Sequence, residues 1–207
     1  MAKQDLEING SHMCEVFGMK SVAKFEKVSF DQFILDFMAN NIYKRVKKIL
    51  SDEEYIWVKE TYTREEIKEI YDNIKLPQRG TSGSAGYDFF IPFEVFLEEN
   101  EPMVIPTGIR CKIDEGYVLD IYPRSGLGFK NKMSLYNTVG IIDSDYYNSN
   151  NEGHIMIKIV HENPHGLQIE SGKGFAQGIF NEYFITYDDE ATEIRNGGFG
   201  STDSNNR

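Results

Sequence analysis

Hydrophobic positions in the first third of the chain recur at helical spacing. Phe30, Phe33, Ile34, Phe37 and Met38 share one helix face that opens at Ser29, with Gln32 three residues on in the pattern of a capping box. A second stripe, Ile67, Ile70, Tyr71 and Ile74, follows the box Thr63-Arg-Glu-Glu66, and Ser51-Asp-Glu-Glu54 has the same form. Stripes of this kind face a core. The basic run Lys44, Arg45, Lys47 and Lys48 between them reads as a solvated helix face. Residues 14–75 are therefore expected to be a mostly helical extension or insertion.

From about residue 76 the period changes. Pro77, Gly80, Gly83 and Gly86 interrupt any helix, and β-rich runs follow at 103–105, 117–122, 155–160 and 183–187 with turn residues between them. Many short strands without long helices predict a mainly β domain over 76–190, an antiparallel sandwich or barrel. Residues 191–207 are expected to form a flexible arm, because from Arg195 onward Gly, Ser and Asn leave little to bury. At the other end, Gly10-Ser-His-Met13 reads as a vector-derived scar, and residues 1–13 are set aside.

Composition narrows the chemistry. At 207 residues with 40% hydrophobic content, the chain can bury one substantial core. A net charge of −11 argues against general binding to nucleic acid or an anionic membrane, so any polyanion must be held by a few local groups. No apolar run approaches the roughly 18 residues of a membrane span, and the N-terminus lacks the apolar run of a signal peptide; a cytoplasmic location is expected. Cys14 and Cys111 lie far apart with no CxxC pair and no histidine cluster near either, which argues against a disulfide framework and a zinc site.

Small-residue clusters carry the candidate chemistry. Pro123-Arg-Ser-Gly126 puts a guanidinium, a hydroxyl and a glycine N–H within three residues, a combination suited to phosphate oxygens. The segment from Asn137 through Gly140, Ile141 and Ile142 reads as a strand that delivers Asp143 to a turn. Gln177 offers an amide donor, and the arm offers the Arg195 charge, the Phe199 π-face and the Ser201 and Thr202 hydroxyls on a glycine-rich backbone.

Taken in order, Ser84-Ala-Gly-Tyr-Asp88, Pro123-Arg-Ser-Gly-Leu127, Gly140-Ile-Ile-Asp-Ser-Asp-Tyr146, Gly172-Lys-Gly-Phe-Ala-Gln177 and Arg195-Asn-Gly-Gly-Phe-Gly-Ser-Thr202 closely resemble the five motifs of the trimeric dUTPase family, over about residues 77–202. The resemblance implies a distorted β-barrel or jelly-roll (β-clip) fold, a homotrimer with shared active sites, and Mg²⁺-dependent hydrolysis of dUTP to dUMP and pyrophosphate. That reaction limits uracil incorporation into DNA and supplies dUMP for dTMP synthesis. By the same resemblance Asp143 is the general base for the attacking water. Arg124, Ser125, Gly126 and Gln177 contact phosphates. Asn137 and the backbone of Gly140, Ile141 and Ile142 form the uracil site, where cytosine would leave buried groups unpaired. Tyr146 packs on deoxyribose, leaving no room for a 2′-hydroxyl. Phe199 with Gly200 stacks on uracil, Arg195, Ser201 and Thr202 hold the terminal phosphates, and Asp88 serves the metal region indirectly, through water.

Four features depart from the family pattern. Gly174 stands where an arginine is usual, Asp203 stands where the fifth motif usually ends in glycine, and residues 148–152 lengthen the third-motif hairpin, as an exposed tip. Residues 22–28 fit the family's first strand, with 29–75 inserted after it as a partner-binding surface, a trimer-edge decoration or packing. Two other readings are weighed: dCTP deaminase, which needs a glutamate where Lys158 stands and typically a phenylalanine at Tyr146, and a regulatory protein that keeps the fold and signals through the extension.

Overall fold

The computed structural model describes residues 20–51, 54–193 and 195, without the side chain of Tyr55. The expectations placed on residues 1–13, Cys14, Phe199, Gly200, Ser201, Thr202 and Asp203 lie outside the described residues.

Strand β1 (Ala23–Lys27) pairs antiparallel with β8 (Ile109–Ile113). Helix α1 (Phe30–Ala39) follows, with the Ser29 hydroxyl accepting from Gln32 N at 3.1 Å. Phe33 and Phe37 are fully buried, while Met38, at the edge of the predicted stripe, is exposed. Helix α2 (Arg64–Asp72) opens with the full reciprocal box: Glu66 N donates to Thr63 Oγ1 and Thr63 N donates to Glu66 Oε2.

Between these helices the expected helical course is overturned. Strands β2 (Tyr43–Ile49) and β3 (Tyr55–Thr61) form an antiparallel hairpin, and the basic run lies on β2. Ser51 is in the hairpin's turn, where Glu54 N donates to Ser51 O at 3.3 Å, and it caps no helix. Cross-strand pairing decides this segment: Val46 faces Val58, Lys48 meets Glu60 at 3.3 Å, and the Arg45 guanidinium lies against the rings of Trp57 and Phe96.

The β domain is jelly-roll-like, with antiparallel sheets that do not close into one barrel among the described residues. Its largest sheet has the order β11-β9-β14-β5-β4, built from β11 (Gly140–Ile142), β9 (Tyr117–Pro123), β14 (Gly174–Glu182), β5 (Tyr87–Phe90) and β4 (Gln78–Arg79). A second has β12 (Met156–Val160) between β7 (Met103–Pro106) and β10 (Ser134–Leu135), and β6 (Val95–Leu97) pairs with β13 (Leu167–Ile169). Alternation explains the strands: Leu119 and Ile121 of β9, and Ile157 and Ile159 of β12, point into the core. The strand expected at 183–187 does not form. β14 ends at Glu182, and Phe184, Ile185 and Tyr187 stand exposed with no pairing strand among the described residues, so their β propensity has nothing there to act on.

Phe33, Phe37 and Ile67 of the insertion belong to the same buried cluster as Ile91, Ile105, Leu119 and Phe175 of the β domain. Close approach depends on Gly108, at φ +72°, where a Cβ would lie 2.3 Å from Ile74 Cδ1. With one shared core, calorimetry is expected to show a single unfolding transition for the wild type. Phe33→Ala is expected to lower stability by about 3–5 kcal/mol. A separate early transition for the insertion would contradict this packing.

Candidate active site

The predicted residues gather in two groups, one at each end of β9. At its C-terminal end, Asp88 on β5 and Gln177 on β14 face each other in register, and Gln177 is also opposite Tyr122 on β9. Arg124 follows β9 directly and caps the short helix α3 (Ser125–Asn131) with extended backbone, leaving its side chain free of the capping role. Its Nε lies 3.1 Å from Asp88 Oδ1. Gln177 Nε2 donates to Pro123 O at 3.2 Å, fixing the strand end from which Arg124 projects. Gly86 lets the chain pass over that amide, because a Cβ there would sit 2.8 Å from Gln177 Oε1.

Ser125 and Gly126 form the first turn of α3, and none of the described residues fills the space beside Gly126. An open cleft of about 720 Å³ is lined here by Arg124, Ser125, Gly126, Lys130, Lys173 and Gly174. Lys130 and Lys173 escaped the sequence reading. Lys173 was legible, as a cation next to the glycine that replaces the fourth motif's usual arginine.

At the other end of β9, strand β11 delivers Asp143. Gly140 packs on Ile121, Ile141 is exposed, and Ile142 is half-buried opposite Leu119. Asn137 is exposed in the turn before β11, beside Thr138 at φ +69°. Asp143 starts a 3-10 helix (Ser144–Asn148), and its carboxylate takes an ion pair from Arg195, whose Nε lies 3.1 Å from Asp145. The Arg195 guanidinium also stands 5.9 Å from the centre of the Tyr146 ring. Tyr146 is buried; its hydroxyl donates to His154 O at 2.9 Å, and burial pushes the phenol up. Tyr147 donates to Glu26 on β1 at 2.6 Å. Bonds from Lys24 and Tyr147 bring the Glu26 carboxyl down to about 2.

These two groups do not meet within one chain. Ile142 pairs with Leu119, so Asp143 is level with Val118, six residues below Arg124 on β9. At about 3.3 Å per residue that is roughly 20 Å.

A family model described as dUTPase matches residues 72–203. The chain belongs to the dUTPase family. Among similar proteins, the deoxyuridine 5'-triphosphate nucleotidohydrolase of Lactococcus lactis is 39% identical over 132 residues, covering 62% of this chain and 88% of that one. The enzyme of the same name from Finegoldia magna is 37% identical over 137 residues, covering 63% and 92%. The solved structure of dUTPase from Streptococcus mutans is 33% identical with a TM-score of 0.51, covering 54% of this chain and 88% of that one. The dUTPase match begins at residue 72, so β1, α1, the β2–β3 hairpin and nearly all of α2 lie outside it.

Within the dUTPase frame, two departures acquire a physical reason. A Cβ at position 174 would lie 2.6 Å from Arg124 Nη1 and 3.1 Å from its Cδ, so Gly174 makes the room in which the Arg124 side chain lies. Residues 148–152, expected as an exposed tip, instead fold back. Ser149 is buried, Asn151 Nδ2 donates to Tyr146 Oη at 2.8 Å, and Glu152 accepts from Ser29 of the insertion. Hydrogen bonding to distant groups, invisible in the local pattern, draws the loop inward.

Gly174→Ala is therefore expected to displace the Arg124 guanidinium. Pyrophosphate binding measured by calorimetry should weaken about tenfold, the value of one charge-assisted hydrogen bond, with little change in Tm. Unchanged affinity would separate Gly174 from the placement of Arg124.

Proposed function

We propose that this chain is a dUTP diphosphatase that hydrolyses dUTP to dUMP and pyrophosphate by attack of water on the α-phosphorus. Membership of the dUTPase family carries this reading. The two residue groups fit its two halves, cationic and hydroxyl groups for the polyphosphate and a carboxylate for the water.

Arg124, Ser125, Gly126 and Gln177 hold phosphates, with Lys130 and Lys173 adding charge where the fourth motif lacks its arginine. Asp143 orients the water and takes its proton; the water oxygen bonds to the α-phosphorus, and the bridging oxygen leaves with pyrophosphate. Asn137 and the backbone of Gly140, Ile141 and Ile142 read uracil, and Tyr146 packs against deoxyribose. Arg195 exchanges its pairing with Asp143 and Asp145 for the more strongly charged terminal phosphates. Phe199, Gly200, Ser201 and Thr202 complete closure of the arm over the nucleotide.

The separation of Arg124 from Asp143 supports a homotrimer in which each site draws on more than one chain. The aromatic residues beyond β14, exposed among the described residues, support it further.

Among the described residues no group of three or more His, Cys, Asp or Glu is arranged to hold a metal ion. The Asp88 carboxylate beside Arg124 is an oxygen donor of the kind Mg²⁺ takes, and it would reach through water an ion carried in on phosphate oxygens. When bound, Mg²⁺ supplies neutralisation of phosphate charge. No helix among the described residues is long and apolar enough to cross a membrane; cytoplasmic work on free nucleotide remains the proposed setting. The deaminase reading is not favoured, because position 158 carries a lysine, its Nζ 4.2 Å from the centre of the Tyr136 ring, in place of the needed carboxylate.

Pyrophosphate release with Mg²⁺ is expected to be far faster from dUTP than from dCTP, dTTP or UTP. Asp143→Asn should lower kcat by about 10²–10⁴-fold with an unchanged circular dichroism spectrum. A folded protein that releases nothing from dUTP would overturn the assignment.

A further inference from the structure

The N-cap of α1 is completed from far away in sequence. In a capping box the residue at Gln32 would return a bond to the Ser29 N–H. Here Gln32 Nε2 turns to Asp36 Oδ2 at 2.8 Å, and Ser29 gives both its N–H and its hydroxyl to Glu152, at 2.7 and 2.6 Å. Burial pushes the Glu152 carboxyl up, but the Ser29 bonds outweigh it and the group titrates below its usual value.

One turn along the same helix, Asp36 Oδ2 lies 2.6 Å from Nδ1 of the fully buried His154. The backbone N–H of Gly108 donates to His154 Nε2 at 2.8 Å, so the ring proton is on Nδ1 and points at Asp36. Burial pushes the Asp36 carboxyl up, but the bonds from His154 and Gln32 bring it below its usual value.

Both attachment points belong to the segment that closes over Tyr146. Asn151 Nδ2 donates to the Tyr146 hydroxyl, which donates to His154 O, and Ser149 Oγ, which donates to Tyr146 O at 2.6 Å, also lies 2.8 Å from Asn151 Oδ1. Gly153, at φ +70°, folds the loop so tightly that a Cβ would meet Tyr147 Cα at 2.7 Å and Tyr146 O at 2.8 Å.

We propose that α1 and residues 149–154 form one clamp on Tyr146, making Asn151, Glu152 and Asp36 positioning residues for the preference of deoxyribose over ribose. This rests on the reading above that Tyr146 packs against the sugar. A ring that rejects a hydroxyl by volume must not yield by the width of one oxygen. Tyr146 is held at its far end by a donor and an acceptor whose own positions are set by the buried Asp36–His154 pair and by Glu152 on Ser29. The insertion thereby acts on substrate choice without touching substrate.

The test is kcat/KM for dUTP and UTP in the full-length wild type, Asn151→Ala and Glu152→Gln. Glu152→Gln leaves one acceptor oxygen for two Ser29 donors and disturbs no core packing, which guards against a misfolded Asn151→Ala. Loss of one tethering bond is expected to raise UTP turnover relative to dUTP about tenfold in Asn151→Ala, with a smaller rise in Glu152→Gln. The dUTP kcat should stay within about twofold, because no transition-state contact is removed. Glu60→Ala, on β3 away from the clamp, should leave the ratio at its wild-type value. An unchanged ratio in the folded Asn151 and Glu152 variants, against a wild type that discriminates, overturns the clamp and leaves the sugar-packing role of Tyr146 standing. A wild type that turns over UTP as well as dUTP overturns both.

Discussion

The pairing of β11 with β9 is the constraint on which the rest of the site depends. Gly140 opposite Ile121 and Ile142 opposite Leu119 fix Asp143 at one end of β9, while Arg124 leaves from the other. No side-chain rotation closes roughly 20 Å. A slip by one residue would turn Ile142 away from Leu119 and lose its burial, so the register is strongly held. If, as proposed, one site needs both the Asp143 carboxylate and the Arg124 guanidinium, it has to be assembled between copies of the chain. The apolar residues beyond Glu182 are left uncovered among the described residues, which is consistent with the proposed assembly.

Onto this frame the chain adds an insertion that shares its core. Phe33 and Phe37 are buried as completely as Leu119 or Phe175, and Phe37 stacks edge-on against Phe93 at 5.0 Å. The polar attachments are as specific. His154 and Glu152 have their partners on α1, so the insertion and the third motif each satisfy polar groups that the other would leave unpaired. The insertion and the lengthened hairpin, which look like separate departures from the family pattern, are two sides of one interface.

Much of this was legible in the sequence. Small-residue clusters pointed to the proposed site because phosphate-binding loops need residues of particular size and charge at short spacing, and Arg124 and Asp143 do stand next to strand ends. Thr63 and Glu66 announced α2 because the capping box is a local reciprocal bond. What failed was non-local. Ser51 has the same local form as Thr63, yet it sits in a turn, since the pairing of Val46 with Val58 outweighs capping and the sequence shows no pairing. The aromatic residues at 183–187 have strand propensity but no partner strand among the described residues. Glu152 looked like a loop charge because its partner, Ser29, lies 123 residues away.

Subunit complementation tests the division of the site between chains most directly. Chains carrying Arg124→Ala and chains carrying Asp143→Asn should each be inactive alone. After mixing and verified subunit exchange, a site built from two copies regains both groups in about a quarter of cases for random assembly, and activity should return to that fraction of the wild type. No recovery in mixed oligomers would mean that Arg124 and Asp143 of the same chain serve one site, contradicting the account built on the β9–β11 register.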